Sequence, residues 1–211
     1  MSSAHSFKVV YLTGAPASGK SSLGEAVVSA CSEVFLFSYS KELAQMMSKI
    51  HGTTYTQENL REQSSHLITP EVIEEVDRHL ISFVEENRSI RHVIIDSHAV
   101  TKEHYGFRVT PFSSSLLSQL APDLLVSLYT KAETTINRIS ADPKGRPIPT
   151  SFEADAHTFF QASVAVSYSI QLGKPLYFLD SDSSLENLVD WFKRRLPDQR
   201  KCDPKHTQPI K

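Results

Sequence analysis

Little in this chain of 211 residues is extreme, and each shortage excludes something. Its two cysteines, Cys31 and Cys202, cannot build a disulfide framework, which fits a reducing compartment. No apolar run approaches the ~20 residues needed to span a bilayer, so no membrane association is expected. The opening MSSAHSF has neither a charged leader nor an apolar core, so the expected location is cytoplasmic, with the nucleus left open. A net charge of −2 gives no sign of a nucleic-acid surface. The nine histidines show no pair at metal-ligand spacing with acidic or cysteine partners, so no structural zinc is expected. There is no internal repeat and no low-complexity tract. What remains is ordinary: 40% apolar and 22% charged residues, enough for one core carrying small inserted subdomains.

The informative stretch is Phe7 to Ser22. Val9, Val10, Tyr11 and Leu12 are apolar without alternation, as in a parallel strand buried on both faces. The run continues through Gly14-Ala15-Pro16-Ala17-Ser18-Gly19-Lys20-Ser21, filling every fixed position of the G-x-x-x-x-G-K-[ST] phosphate loop, with Ser22 next. Gly14 and Gly19 allow backbone angles and close approach that a Cβ would block, so N–H groups can turn inward around phosphate oxygens. Lys20 supplies a point charge for the β and γ phosphates of ATP, and the Ser21 hydroxyl suits Mg²⁺. A helix starting near Gly19 adds its positive dipole end to the same site.

Further along, Leu23 to Cys31 reads as the helix after the loop and Val34 to Phe37 as a second strand. Residues 40–86 read as a helical insertion, with Leu43, Met46, Met47 and Ile50 on one face and Thr69-Pro70-Glu71 opening another helix. Val93 to Asp96 is the third strand. Its terminal Asp96 sits where phosphate-loop proteins hold the Mg²⁺ shell, although an aspartate after a strand is also a common turn residue. A short helix from Ser113 stops at Pro122, and Leu124 to Tyr129 is the fourth strand. Thr130 with Glu133, Thr150 with Glu153 and Ser183 with Glu186 each read as a capping box opening a helix. Between the first two lies a basic loop of about 140–150, with Lys144 and Arg146, that reads equally as a lid or as a solvated turn. Leu176 to Leu179 is the fifth strand, and residues 197–211 read as a disordered tail.

These elements specify an α/β fold: a five-stranded parallel sheet flanked by helices, in one domain over 1–196, with its ligand outside the carboxyl ends of the strands. The arrangement resembles the nucleoside monophosphate kinases, most closely the archaeal-type adenylate kinases and the eukaryotic adenylate kinase isoenzyme 6 group. The resemblance runs from Val9 to about Phe192. Its most specific features are Val93-Ile94-Ile95-Asp96-Ser97-His98, like that family's strand ending in Asp-x-His, and Pro122-Asp123 entering a strand. Arg138 and His157 also fall where the family carries such residues.

The resemblance implies transfer of the γ-phosphate of ATP, with Mg²⁺, to a nucleoside monophosphate, AMP or dAMP first. It implies catalytic roles for Lys20, Asp96, His98, Arg138 and Arg146, Mg²⁺ ligation by Ser21 and Asp96, and acceptor binding by Ser40 and Arg61 in the insertion. Two departures stand out. The lid is thin in arginine, and Gln161 stands in the long helix where the archaeal enzymes place a further arginine. The expectation is that Gln161 faces the lid and the phosphate loop, so that Gln161→Arg would raise the rate. Two alternatives remain open: a small-molecule kinase of shikimate or gluconate type, and an ATP-hydrolysing switch for a protein partner, as the isoenzyme 6 group's link to ribosome assembly suggests. The chain could also form a homo-oligomer.

Overall fold

The computed structural model describes residues 7–55, 69–142 and 146–197. Five strands form one parallel sheet: β1 (Val9–Gly14), β2 (Val34–Ser38), β3 (His92–Asp96), β6 (Leu124–Tyr129) and β7 (Leu176–Asp180). Their order is β2-β3-β1-β6-β7. The helices are α1 (Lys20–Ala30), α2 (Tyr39–His51), α3 (Pro70–Asn87), α4 (Ser114–Leu120), α5 (Ala132–Ala141), α6 (Ser151–Leu172) and α7 (Leu185–Arg195). A two-stranded antiparallel hairpin, β4 (Val100–Glu103) and β5 (Gly106–Val109), follows β3. No described helix is long and apolar enough to cross a membrane.

Strand β1 lies centrally because every one of its residues is apolar or small enough to be enclosed on both faces. Its side chains alternate between two cores. Val10 and Leu12 pack with Leu23, Val27, Ile94, Val126 and Phe192 beneath α1 and α7. Val9 and Tyr11 pack with Leu80, Val84, Leu117 and Tyr168 beneath α3, α4 and α6. Burying each such side chain stabilises the fold by roughly 1.5–3 kcal/mol. A third, small cluster of Ala44, Met47 and Val72 joins α2 to α3. The start of β1 is fixed by Asp123, which accepts from Val9 N at 2.9 Å while its own N–H reaches Val9 O at 2.8 Å.

The helix ends differ from expectation in two places. Thr150 and Glu153 form the reciprocal capping box of α6. Thr130 does not cap α5; its hydroxyl donates to Asp182 at 2.6 Å, and Lys131 takes the cap position without a side-chain bond. The last helix is capped by Ser184, one residue later than read from the sequence. The first shift has a tertiary cause: a loop hydroxyl bonds whichever polar group the fold brings near, and the Thr-x-x-Glu spacing does not encode that.

Candidate active site

The two neighbours of β1 run outward from it on opposite sides, so their connections diverge and leave a crevice at its carboxyl end. Gly14 ends β1 there, level with Leu128 of β6, and Asp96 ends β3 level with Leu12 of β1 and Ser38 of β2. The loop from Gly14 to Lys20 therefore lies beside Asp96. At Gly14 a Cβ would stand 2.6 Å from Ser18 Oγ and 2.8 Å from Leu128 O, so the tight turn excludes any side chain. Gly19 has open space around it but φ of 86°, which L residues rarely adopt. Ala17 also sits at φ 60°, a strained angle for a residue with a Cβ and one that recurs at ligand clamps.

Lys20 opens α1, and its Nζ donates to Gly14 O at 2.7 Å, closing the loop on itself. Ser21 Oγ donates to Asp96 Oδ2 at 3.3 Å. Asp96 is buried, and that burial raises its carboxyl pKa; Lys20, the Ser21 hydroxyl and Lys41 pull it back down. Ser18 Oγ is buried in the loop with no hydrogen-bond partner among the described residues. An orphaned buried hydroxyl is a costly feature unless an anion accepts its hydrogen bond. Together with the Lys20 ammonium and the helix N-terminus, it fits a polyphosphate. The Ser21 and Asp96 oxygens, side by side, are the hard oxygen donors that suit Mg²⁺.

A second layer holds this crevice in shape. Thr13, one residue before the loop, donates through Oγ1 to Ser97 O at 2.8 Å. Gln161 Nε2 in turn donates to Thr13 Oγ1 at 2.7 Å, while Gln161 Oε1 accepts from Ala99 N at 3.2 Å and Val100 N at 3.0 Å. One turn earlier on α6, His157 Nε2 donates to Val100 O at 3.0 Å. Helix α6 thus satisfies both backbone groups of Val100 and ties the segment after Asp96 to the base of the phosphate loop.

The expected role of Gln161 is accordingly corrected. It does face the base of the loop, but it is buried at 1% exposure with both ends of its amide engaged, so it is a brace with no vacancy for a cation. An arginine there would be an enclosed charge that gives up these hydrogen bonds.

The remaining expected site residues lie at varied distances from this centre. Arg138 of α5 donates from Nη1 to Ala17 O at 3.1 Å and to Ser181 Oγ at 3.1 Å, and from Nη2 to Ser181 O at 2.9 Å. It therefore ties the far side of the phosphate loop to the β7–α7 turn. His98 follows Asp96 by two residues and is exposed. Ser40 lies in the first turn of α2, just beyond the carboxyl end of β2. Arg146 is half-buried and its Nε has no partner among the described residues. Arg61 and Lys144 fall outside the described residues, as does the tail from residue 198. Sequence reasoning did not single out Thr13, Ser18 as an unpartnered hydroxyl, or the Ser181 contact of Arg138. Only Thr13 had a local signal, a polar residue at the carboxyl end of an otherwise apolar strand.

A family model described as "AAA domain", AAA_17, matches residues 13–153, from the last residue before the phosphate loop to the first turn of α6. The chain belongs to this family. No curated protein matches it. Solved structures similar to this AAA_17 chain include a tunicamycin resistance protein from Deinococcus radiodurans, 12% identical with TM-score 0.54, covering 90% of this chain and 95% of that one. A shikimate kinase from Acinetobacter baumannii, solved with shikimate, is 13% identical with TM-score 0.53, covering 90% and 92%. A sugar kinase from Janibacter sp. HTCC2649 is 14% identical with TM-score 0.51, covering 94% and 97%. At these identities the likeness establishes the fold, which is that of phosphate-loop kinases.

Proposed function

We propose that the chain transfers the γ-phosphoryl group of ATP to a nucleoside monophosphate, with AMP or dAMP as the favoured acceptor. The observation that carries the phosphotransfer reading is the approach of Ser21 Oγ to Asp96 Oδ2, 3.3 Å, beside the Lys20 ammonium. Phosphoryl transfer needs little covalent chemistry from a protein; it needs positioning and neutralisation of charge on the migrating group. Lys20 would swing from Gly14 O to phosphate oxygens, exchanging one charge-assisted bond for a stronger one. The loop amides and the Ser18 hydroxyl would hold the polyphosphate, and Ser21 with Asp96 would hold Mg²⁺, which neutralises phosphate charge when bound. Arg138 would keep the loop's outer wall in place and, from that position, lie within a side-chain movement of the phosphates. His98 and Arg146 would complete the site from the β3–β4 connection and the lid.

The acceptor assignment rests on other grounds. The paired helices α2 and α3, inserted between β2 and β3, share a small apolar cluster of their own, and the resemblance to nucleoside monophosphate kinases implies acceptor binding by that insertion. Ser40, at the crevice end of α2, and Arg61 are the proposed contacts to the acceptor.

A second reading is favoured by the fold likeness to a shikimate kinase and a sugar kinase: an acceptor hydroxyl on a small acid or polyol. Coupled detection of ADP with ATP and each candidate acceptor separates the two. Stimulation by AMP or dAMP supports the proposed acceptor; stimulation by shikimate or a sugar alone replaces it; turnover indifferent to all of them favours a hydrolytic switch.

A further inference from the structure

Helix α6 buries Ala154, His157, Gln161, Ala165 and Tyr168 against the sheet, yet its opposite side carries a line of large apolar side chains. Phe152 is 79% exposed, Phe159 66%, Val166 39% and Ile170 77%. From Ala156 to Gly173 the helix carries no Asp, Glu, Lys or Arg. Large apolar side chains in line on the outer side of a helix already packed on its inner side, broken here by Ser163, mark an interaction surface. The outward stripe leaves on the order of 500 Å² of apolar surface in water, toward the upper end of what monomers expose.

We propose that this stripe is the interface of a twofold homodimer, in which α6 packs antiparallel against α6 of a second copy. The sequence of the stripe is its own complement. Phe152 and Ile170 are separated by 18 residues, about five helical turns, so they lie on one line along the axis. Placing the twofold axis over the middle of the helix sets Phe152 against Ile170 of the second copy, Ala156 against Val166, and Phe159 against Ser163. Two of these three pairs match a large side chain to a small one, the pattern that interdigitates without voids. The seam Phe152, Phe159, Val166 repeats every seven residues and drifts by about 20° per repeat, which a shallow left-handed crossing follows. The one exposed carboxylate flanking the stripe, Asp155, meets Ser167 of the second copy in this register and not another carboxylate. The apolar area, with a polar rim added, approaches the ~800 Å² per partner of a standard protein–protein interface. A different protein would have no reason to match this large-to-small alternation about its own centre.

The test is sedimentation equilibrium of the full-length chain from 1 to 100 μM, run on the wild type, Phe152→Glu, Ile170→Lys, Phe159→Glu and the double variant carrying both Phe152→Glu and Ile170→Lys. The wild type is expected to be a dimer. Each single variant should raise the dimer dissociation constant at least ~100-fold, because symmetry removes every lost contact twice. All three positions are exposed in the monomer, so circular dichroism and Tm at low concentration should stay at the wild-type values. The double variant should recover most of the affinity, since the glutamate of one copy then faces the lysine of the other, and the recovery should weaken in added salt. A monomer at every concentration would overturn the proposal, as would an assembly other than a dimer, a dimer insensitive to Phe159→Glu, or a double variant no tighter than its parents.

Discussion

Gln161 and Thr13 are joined by a 2.7 Å hydrogen bond across 148 residues of sequence, and that bond fastens the longest helix to the base of the phosphate loop. Because Thr13 Oγ1 donates a hydrogen bond to Ser97 O, and Gln161 Oε1 accepts from the N–H groups of Ala99 and Val100, the brace spans β1, the segment after Asp96 and α6.

Removing the brace leaves buried backbone donors unpaired, at roughly 1–3 kcal/mol for each group left without a partner. Gln161→Ala is therefore expected to lower stability by about 3 kcal/mol, and Gln161→Arg by at least as much, since it adds an enclosed charge. Urea unfolding checks this. A Gln161→Arg variant as stable as wild type, or faster in phosphotransfer, would restore the reading of position 161 as an open site for a cation.

Asp96 is predicted to trade stability for activity. Burial, the largest influence, raises its pKa in the folded chain above the unfolded value of about 3.9. Such a group favours folding below the unfolded pKa, and that contribution is lost as pH rises through the folded one, so at neutral pH the ionised carboxylate opposes folding. Asp96→Asn should raise Tm of the ligand-free chain, by about 2–4 °C per kcal/mol recovered, while lowering turnover on the order of 10²-fold. A variant both less stable and fully active would contradict this assignment. So would loss of the stability gain at pH 7 with its retention at pH 3.

Two histidines should make the fold acid-sensitive. Burial lowers the pKa of both His92 and His157. His92 Nδ1 accepts from Lys8 N at 2.9 Å and its Nε2 donates to Pro197 O at 3.1 Å, so the neutral ring is the one the structure uses. Their contribution is fully present above the unfolded value of about 6.5 and is lost as pH falls through the lowered folded values. Stability should thus decline from pH 7 toward 5, and His157→Asn should flatten part of that slope. A Tm that rises on acidification over this window would contradict it.

Arg138 grips Ala17 O and Ser181 with a planar fork that lysine cannot reproduce. Arg138→Lys is expected to raise the KM for ATP more than it lowers kcat, because a loosened loop loses binding in ground and transition states alike. A fall in kcat with KM unchanged would instead place the guanidinium on the transferring group.

The fold was legible where burial writes a pattern. Val9 to Leu12, Val93 to Asp96 and Leu124 to Tyr129 are apolar runs that can only be enclosed strands, and Pro70 marks the start of α3. The hairpin of β4 and β5 escaped notice because Thr101 to Arg108 is mostly polar and exposed or half-exposed, held by cross-strand pairing and by the single ring of Phe107 against His157 and Phe160. The phosphate loop was legible because its glycines and lysine are fixed by local geometry. The brace was not: a glutamine in a helix has the same local sequence signature whether it meets water or, as here, three groups from two distant segments.

The central claim is that phosphate leaves ATP for an acceptor and not for water. Incubating the full chain with Mg²⁺, AMP and ATP labelled at the γ-phosphorus tests it directly, with Lys20→Ala as the control. The account predicts label in the β-phosphate of newly formed ADP, at a rate that Lys20→Ala reduces to background while ligand-free Tm stays nearly unchanged. Label appearing only as inorganic phosphate, at a rate that no acceptor alters, would contradict it.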